Sequence, residues 1–270
     1  MNLSKSSLLG VSVTTSSRQA ILSRISRFLS VLRPPSSVLQ IVTPNPEQIV
    51  LAQKNEEFRR ILNDADVALP DGAGLVWAMN RRQISVLRPP SSVFRIPGRD
   101  FMVDLCRVSA VKNGRVLLYG GRGGVAKQAL LELKKTFPNL DGIAMDGSEF
   151  SESAAIDPVI IDDLRRVIRS RNIRVIFLGL GAPKQEYLMD ALRHTFKGTT
   201  LHGVYSNFVV MAVGGAFDML AGKITRAPKL VQQMGFEWLW RLFQEPWRVK
   251  RQLALVQFVW LVFTKKIRDN

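Results

Sequence analysis

Cysteine and histidine are nearly absent from the 270 residues: Cys106 stands alone, and His194 and His202 are the only histidines. A single cysteine excludes an intrachain disulfide and a cysteine-based zinc site. The two histidines share no metal-ligand spacing, so neither a metal nor a cofactor is expected, and a reducing, cytoplasmic setting is. Acidic residues are also scarce, 22 against 38 Lys and Arg, which leaves a formal charge of +16 and an isoelectric point near 10.6. That excess calls for an anionic partner: nucleic acid, acidic lipid or a phosphorylated substrate. Long hydrophobic runs are missing too, and no apolar stretch reaches the length of a transmembrane helix.

What remains is ordinary for a folded chain, with 46% apolar and 22% charged residues. The length allows one large domain, or one domain with a smaller addition. The basic excess sits at the ends. Lys5, Arg18, Arg24, Arg27 and Arg33 precede the first acid, Glu47, and the last forty residues are again rich in Lys and Arg. The Ser- and Arg-rich start superficially resembles an organelle targeting segment. A strand at Leu8–Val13 and a helix at Arg18–Leu32, with Ile21, Ile25, Leu29 and Leu32 at helical spacing, fit it better.

Short apolar runs then alternate with helical patterns. Strands are predicted at Val38–Val42, Val67–Leu69, Val116–Tyr119 and Val175–Leu178, and within Tyr205–Val213. Helices are predicted at Pro46–Leu62, after Gly72, through Lys135, up to Arg171, and at Gln185–Thr195. Strands alternating with helices of this length predict an α/β fold, a Rossmann-like, mainly parallel sheet flanked by helices. Ser-Val-Leu-Arg-Pro-Pro-Ser-Ser-Val occurs twice, at Ser30–Val38 and Ser85–Val93. Pro-Pro-Ser-Ser interrupts helix and strand alike, so both copies read as surface loops.

Ligands of open α/β sheets bind at the carboxyl ends of the strands, and several polar segments fall there. In Thr43-Pro44-Asn45-Pro46-Glu47, capping alone explains Asn45 and Pro46. Asp71 follows the Val67–Leu69 strand, beside Gly72 and Gly74, and is either a cap for the next helix or a carboxylate facing substrate. Asp64-Ala65-Asp66 has the form of a metal-binding Asp-x-Asp but precedes its strand, so it reads as a solvated helix end. Gly120–Gly124 resembles a phosphate loop without the strict dinucleotide fingerprint. Lys184-Gln185-Glu186 opens a helix after a strand, and Gly214-Gly215-Ala-Phe-Asp218 marks another strand end with close backbone approach. Leu253–Phe263, interrupted only by Gln257, would span roughly 16 Å as a helix, half of what a bilayer core needs. Flanked by Lys and Arg and carrying Trp260, it reads as an interfacial segment. A core helix or an oligomer contact is the alternative, which leaves a homo-oligomer open.

Taken together, seven segments in order resemble the WecG/TagA/CpsF family, glycosyltransferase family 26. They are Ile41-Val-Thr-Pro-Asn45, Ala65-Asp-Val-Ala-Leu-Pro-Asp71-Gly72, Arg95-Ile-Pro-Gly98, Gly179-Leu-Gly-Ala-Pro-Lys-Gln-Glu186, Val213-Gly-Gly-Ala-Phe-Asp218, Gly222…Arg226-Ala-Pro228 and Glu237-Trp-Leu-Trp-Arg-Leu…Glu245-Pro. The resemblance implies an inverting, metal-independent transfer of an N-acetylmannosamine-type sugar from a UDP donor. The implied acceptor is N-acetylglucosamine on a polyprenyl diphosphate, in teichoic acid or other surface polysaccharide synthesis. It also implies a catalytic core, residues 1–229, and a C-terminal helical appendage, residues 230–270, that meets an anionic membrane at its cytoplasmic face. Carried over by position, Asp71 is the base, with Thr43 and Asn45 in the pocket beside it. Arg95 and Gln185 are donor-binding positions, Gly214, Gly215 and Asp218 form a substrate-side loop, and Arg241, Arg248 and Arg251 meet the diphosphate.

Two other functions compete. A dinucleotide-binding oxidoreductase needs a proper Gly-x-Gly-x-x-Gly turn and a ribose-binding acid, which are lacking. A nucleic-acid-binding protein would account for the charge but not for the Asp71 and Gln185 segments. A helix at a membrane surface accounts for the basic tail, so no nucleic acid is expected as partner.

Overall fold

The computed structural model describes residues 3–30, 37–82, 93–147, 156–196, 207–228, 230–231, 234, 237–245 and 249–266. Most of both Pro-Pro-Ser-Ser copies, 31–36 and 85–92, lies outside the described residues. Six parallel strands form the central sheet in the order β4-β3-β8-β7-β5-β6. These are β3 (Val38–Val42), β4 (Val67–Ala68), β5 (Arg115–Gly120), β6 (Gly142–Met145), β7 (Ile173–Gly179) and β8 (Phe208–Ala212). The predicted α/β class with a parallel sheet is the one found.

Both faces of the sheet are covered, which is why its inner strands read as largely apolar runs rather than alternating ones. Side chains alternate between two cores along each strand. Phe208, Val210 and Ala212 of β8 join Leu117, Ile176 and Leu178 on one face. Val209 and Met211 join Leu118, Val175 and Phe177 on the other. The first face is packed by α2 (Pro46–Lys54), α3 (Glu56–Asp64), α4 (Ala73–Arg82), α7 (Pro158–Ser170) and α8 (Lys184–Phe196). The second is packed by α1 (Arg18–Ser30), α5 (Gly98–Val111), α6 (Val125–Thr136) and α9 (Ala216–Leu220).

Three local readings change. Leu8–Val13 is not one strand but the middle of an antiparallel hairpin, β1 (Lys5–Leu8) with β2 (Val11–Thr14). The apolar Leu9 occupies the turn at φ 51° beside Gly10, which hides the reversal from a hydropathy pattern. The Thr14 hydroxyl accepts the Ala68 N–H at 3.0 Å, so the hairpin covers the exposed edge of β4. The predicted helix Pro46–Leu62 breaks at Asn55, which caps α3 by accepting the Phe58 N–H at 2.9 Å and donates to the Tyr187 hydroxyl at 2.8 Å. Asp66 is a tie rather than a solvated helix end: it accepts the Gln40 N–H at 2.9 Å and pairs with Arg193.

Two further helices, α10 (Glu237–Gln244) and α11 (Val249–Lys266), follow the sheet. α10 is pinned to the loop after α9, where the Trp240 indole and the Gln244 amide both donate to the Thr225 carbonyl, at 3.1 and 2.9 Å. α11 lies against α2. Its residues 254, 258, 261 and 262 form one stripe packed on the core, with Phe258 and Val262 buried. Residues 249, 253, 256, 260 and 263 form a second stripe of large apolar side chains that stays exposed. Both spacings fit successive helical turns. Among the described residues no helix is long and apolar enough to cross a membrane.

Candidate active site

A cavity of about 590 Å³ opens at the carboxyl ends of β3, β4, β7 and β8 and is closed on its far side by Met234, Glu237, Trp238 and Leu255. Its floor follows directly from the strand ends. Thr43, one residue past β3, is buried, with its hydroxyl 3.4 Å from the Ala212 carbonyl. Asn45 has extended backbone and caps α2 by accepting the Gln48 N–H at 3.1 Å, with Pro46 in the first turn. Both residues also line the cavity.

Asp71 is held between the sheet and α5. Its N–H donates to the Pro44 carbonyl at 3.2 Å, and its Oδ2 accepts the Gly98 N–H at 3.2 Å. The cap it provides is thus for α5, twenty-seven residues on, rather than for the helix that follows it. Gly98 is glycine because the chains run so close here: a Cβ would sit 2.9 Å from Thr43 Cγ2 and 3.4 Å from Asp71 Oδ2. Protein atoms surround the carboxylate densely, yet 28% of its side-chain surface stays open to the cavity. Burial raises its pKa above the usual 3.8, against the opposing pull of Arg95 and the Gly98 N–H, while Glu237 pushes the same way as burial.

Arg95 Nη2 lies 2.8 Å from Glu237 Oε2 and 3.7 Å from Asp71 Oδ1. A second cluster stands beside it, with Asp100 Oδ2 2.7 Å from Arg226 and Oδ1 3.3 Å from Arg99. Burial pushes the Asp100 carboxyl up, but these two guanidiniums hold it below its ordinary value. On the opposite wall Gln185 is buried. Its Oε1 accepts the Gly214 N–H at 3.0 Å, and its Nε2 donates to Glu186 Oε1 at 2.9 Å. Gln48 donates to the same Glu186 oxygen at 3.1 Å, and Glu186 Oε2 has no partner among the described residues. Burial lifts this carboxyl from the ordinary 4.5 to about 7.

A cavity at parallel strand ends, lined by the Asp71, Glu47 and Glu237 carboxylates and by Arg95, Arg99 and Arg226, suits a phosphorylated substrate and proton removal. The model of the glycosyl transferase WecG/TagA/CpsF family matches residues 6–270. The chain belongs to that family. It is 30% identical over 226 residues to the N-acetylglucosaminyldiphosphoundecaprenol N-acetyl-beta-D-mannosaminyltransferase of Bacillus subtilis (strain 168), covering 84% of this chain and 79% of that protein.

In this glycosyltransferase seven of the sequence-predicted positions meet in one place: Thr43, Asn45, Asp71, Arg95, Gln185, Gly214 and Gly215 all line the cavity. Asp218 does not. It lies on α9, where its backbone carbonyl accepts the Lys223 and Ile224 N–H groups at 2.9 and 3.2 Å and closes the turn after that helix. Arg248 lies outside the described residues, as do the side chains of Arg241 on α10 and Arg251 on α11. Arg99, Arg226, Glu237 and Trp77 line the cavity without having been singled out from sequence. Arg226 and Glu237 lie inside family-like segments, whereas Arg99 had only its place after Pro97-Gly98 as a signal.

The glycine loop takes no part. The Asp146 carboxylate accepts the Gly124 N–H at 3.0 Å, so an acid already stands where a phosphate loop would receive its anion. Gly120–Gly124 is absent from the cavity lining. Among the described residues no group of three or more His, Cys, Asp and Glu could hold a metal ion.

Proposed function

We propose that this glycosyltransferase moves an N-acetylmannosamine-type sugar from a UDP donor to N-acetylglucosamine-diphospho-polyprenol, with inversion and without a metal, in teichoic acid or related surface polysaccharide synthesis. The activity named for the Bacillus subtilis relative supports the acceptor and the sugar. The observation that carries the chemistry is the Asp71 carboxylate, braced on the Gly98 N–H and open to the cavity. In this reading Asp71 takes the proton of the acceptor hydroxyl as that oxygen bonds to the anomeric carbon. The bond from that carbon to the donor's diphosphate oxygen breaks at the same time. A carboxylate within hydrogen-bond reach of the hydroxyl is suited to the task, and its raised pKa makes it a stronger base than a solvated aspartate.

The departing UDP gains negative charge, which guanidiniums stabilise through paired N–H donors. In this reading Arg95, Arg99 and Arg226, which line the cavity, take that role, with Arg241, Arg248 and Arg251 assigned to the diphosphates on the family resemblance. Both amide atoms of Gln185 are engaged by protein, so its part is to fix the Gly214–Gly215 loop against which the donor rests. Residues 1–229 form the core in this proposal, and α10 and α11 belong to an appendage, residues 230–270. Its exposed stripe and basic flanks rest on the anionic inner face of the cell membrane, where the lipid-linked acceptor resides.

Transfer from a panel of UDP-sugars to a short-chain lipid-linked N-acetylglucosamine diphosphate, with EDTA present, tests this function. Undiminished transfer from UDP-N-acetylmannosamine is expected. No transfer from any UDP-sugar would sink the donor and acceptor assignment, and abolition by EDTA would sink metal independence.

A further inference from the structure

Asp71, Arg95 and Glu237 form a row of three charges that joins the strand-end floor to the first turn of α10. One nitrogen serves both acids: Arg95 Nη2 is at hydrogen-bond distance from Glu237, 2.8 Å, and beyond it from Asp71, 3.7 Å. Arg95 Nε is buried and has no partner among the described residues. The side chains of Arg95, Asp71 and Glu237 are 24%, 28% and 17% exposed, so salt screens them only weakly.

A glutamate in the first turn of a helix suits the helix dipole equally well when it faces solvent. Here it reaches into the cavity instead. A guanidinium matches a carboxylate fork to fork, and a direct pair with Asp71 would hold that carboxylate in its ionised form and weaken it as a proton acceptor. Glu237 competes for that guanidinium. We propose that Glu237 is a positioning residue that draws Arg95 off Asp71, leaving the Asp71 carboxylate free to accept a proton only while α10 is docked. The inference rests on Asp71 being the base. It makes α10 part of the proton chemistry as well as a wall.

Among the described residues, the other charges near this row are those of Arg99, Asp100, Arg226 and Glu47. Arg99 and Asp100 of α5 pair with each other, and Arg226 of the loop after α9 pairs with Asp100. From α2, Glu47 lines the same cavity, and the first turn of α4 brings Ala73 and Gly74, without charge. Glu237 is thus the acid in contact with Arg95 on the side away from Asp71. Its charge also adds to burial in raising the Asp71 pKa.

The test is Glu237→Gln in the full chain, which removes the charge and keeps the length. The Asp71 carboxyl is followed by ¹³C NMR against pH, its signal identified by its loss in Asp71→Asn, and kcat/KM is followed against pH in parallel. The Asp71 midpoint is expected to fall by roughly one pH unit, with the acid limb of kcat/KM moving down by the same amount. Glu237→Asp, which keeps the charge but withdraws it by one methylene, is expected to fall between the two. An unmoved midpoint in Glu237→Gln overturns the inference, as does a Glu237→Asp midpoint below that of Glu237→Gln. A midpoint that moves while the acid limb stays supports the Glu237 contact and overturns Asp71 as the base.

Discussion

The two walls of the cavity are built differently. On the strand-end side, Thr43, Asp71, Gln185 and Gly214 follow buried parallel strands, with Asp71 accepting the Gly98 N–H, Gln185 accepting the Gly214 N–H and the Thr43 hydroxyl 3.4 Å from the Ala212 carbonyl. Among the described residues, the far wall, α10 and α11, meets the rest through Trp240 and Gln244 on Thr225, Glu237 on Arg95, and one apolar stripe packed on the core beside α2. Its outer face leaves Leu253, Val256 and Trp260 exposed, and Phe263 reaches back over Trp77 with the Arg81 guanidinium 4.9 Å from its ring. The first side belongs to the sheet and its strand ends, and the far wall to the two helices that follow the sheet. In the proposed reading the sheet carries the base, and the two helices that follow it cover the base.

The sharpest break of this comparison removes the second wall. A chain ending at residue 235 is expected to keep the circular-dichroism signature of the sheet and helices while transfer falls by more than about 10²-fold. An active truncation would make the far wall decoration. Next in size is a stability effect behind the cavity wall, at Glu186. The Glu186 pKa is raised in the folded state, so its contribution is fully present below the ordinary 4.5 and is lost as pH rises through about 7. Urea melts of wild type should weaken over that window by on the order of 3 kcal/mol, and Glu186→Gln should flatten this component. Parallel curves for the two proteins would contradict it.

Smaller still is Gly98→Ala, whose added methyl must displace Thr43 or Asp71. Steady-state kinetics should show kcat/KM reduced roughly 10- to 100-fold, and an unchanged value would show that the floor tolerates movement. The least effect on the molecule itself is expected from serine at Leu253 and Trp260 together, within about 0.5 kcal/mol in folding stability. Co-sedimentation with anionic vesicles should nonetheless weaken several-fold, and should already be salt-dependent in wild type. Binding indifferent to lipid charge, salt and these substitutions would turn the exposed stripe into a packing surface.

The same contrast explains what the sequence disclosed. Val38–Val42 and Val175–Leu178 are covered on both faces, so each is a mostly apolar run, broken in the first only by the buried Gln40, and polar residues soon after such runs fall at the site. That pattern put Thr43, Asn45, Asp71 and Gln185 near strand ends, and the family resemblance singled them out from ordinary caps and turns. α5 was not, because its capping group is Asp71, twenty-seven residues away, and Pro97 gives it no local polar cap. β6 escaped because it is a four-residue edge strand that is only half-buried. The break at Asn55 was hidden by apolar spacing that continues through Phe58, Ile61 and Leu62. Glu237, Arg99 and Arg226 reach the cavity through docking of loops and helices, which no local pattern encodes. The family resemblance supplied the order of segments, but not the contact between Arg95 and Glu237.

The claim on which the account depends is that Asp71 removes the acceptor proton. The direct measurement is turnover of Asp71→Asn with UDP-N-acetylmannosamine and the lipid-linked N-acetylglucosamine acceptor, beside its melting temperature and UDP affinity. Asparagine keeps an oxygen for the Gly98 N–H, so folding and UDP binding should survive while kcat falls by roughly 10²–10⁴. Turnover near that of wild type would contradict the account.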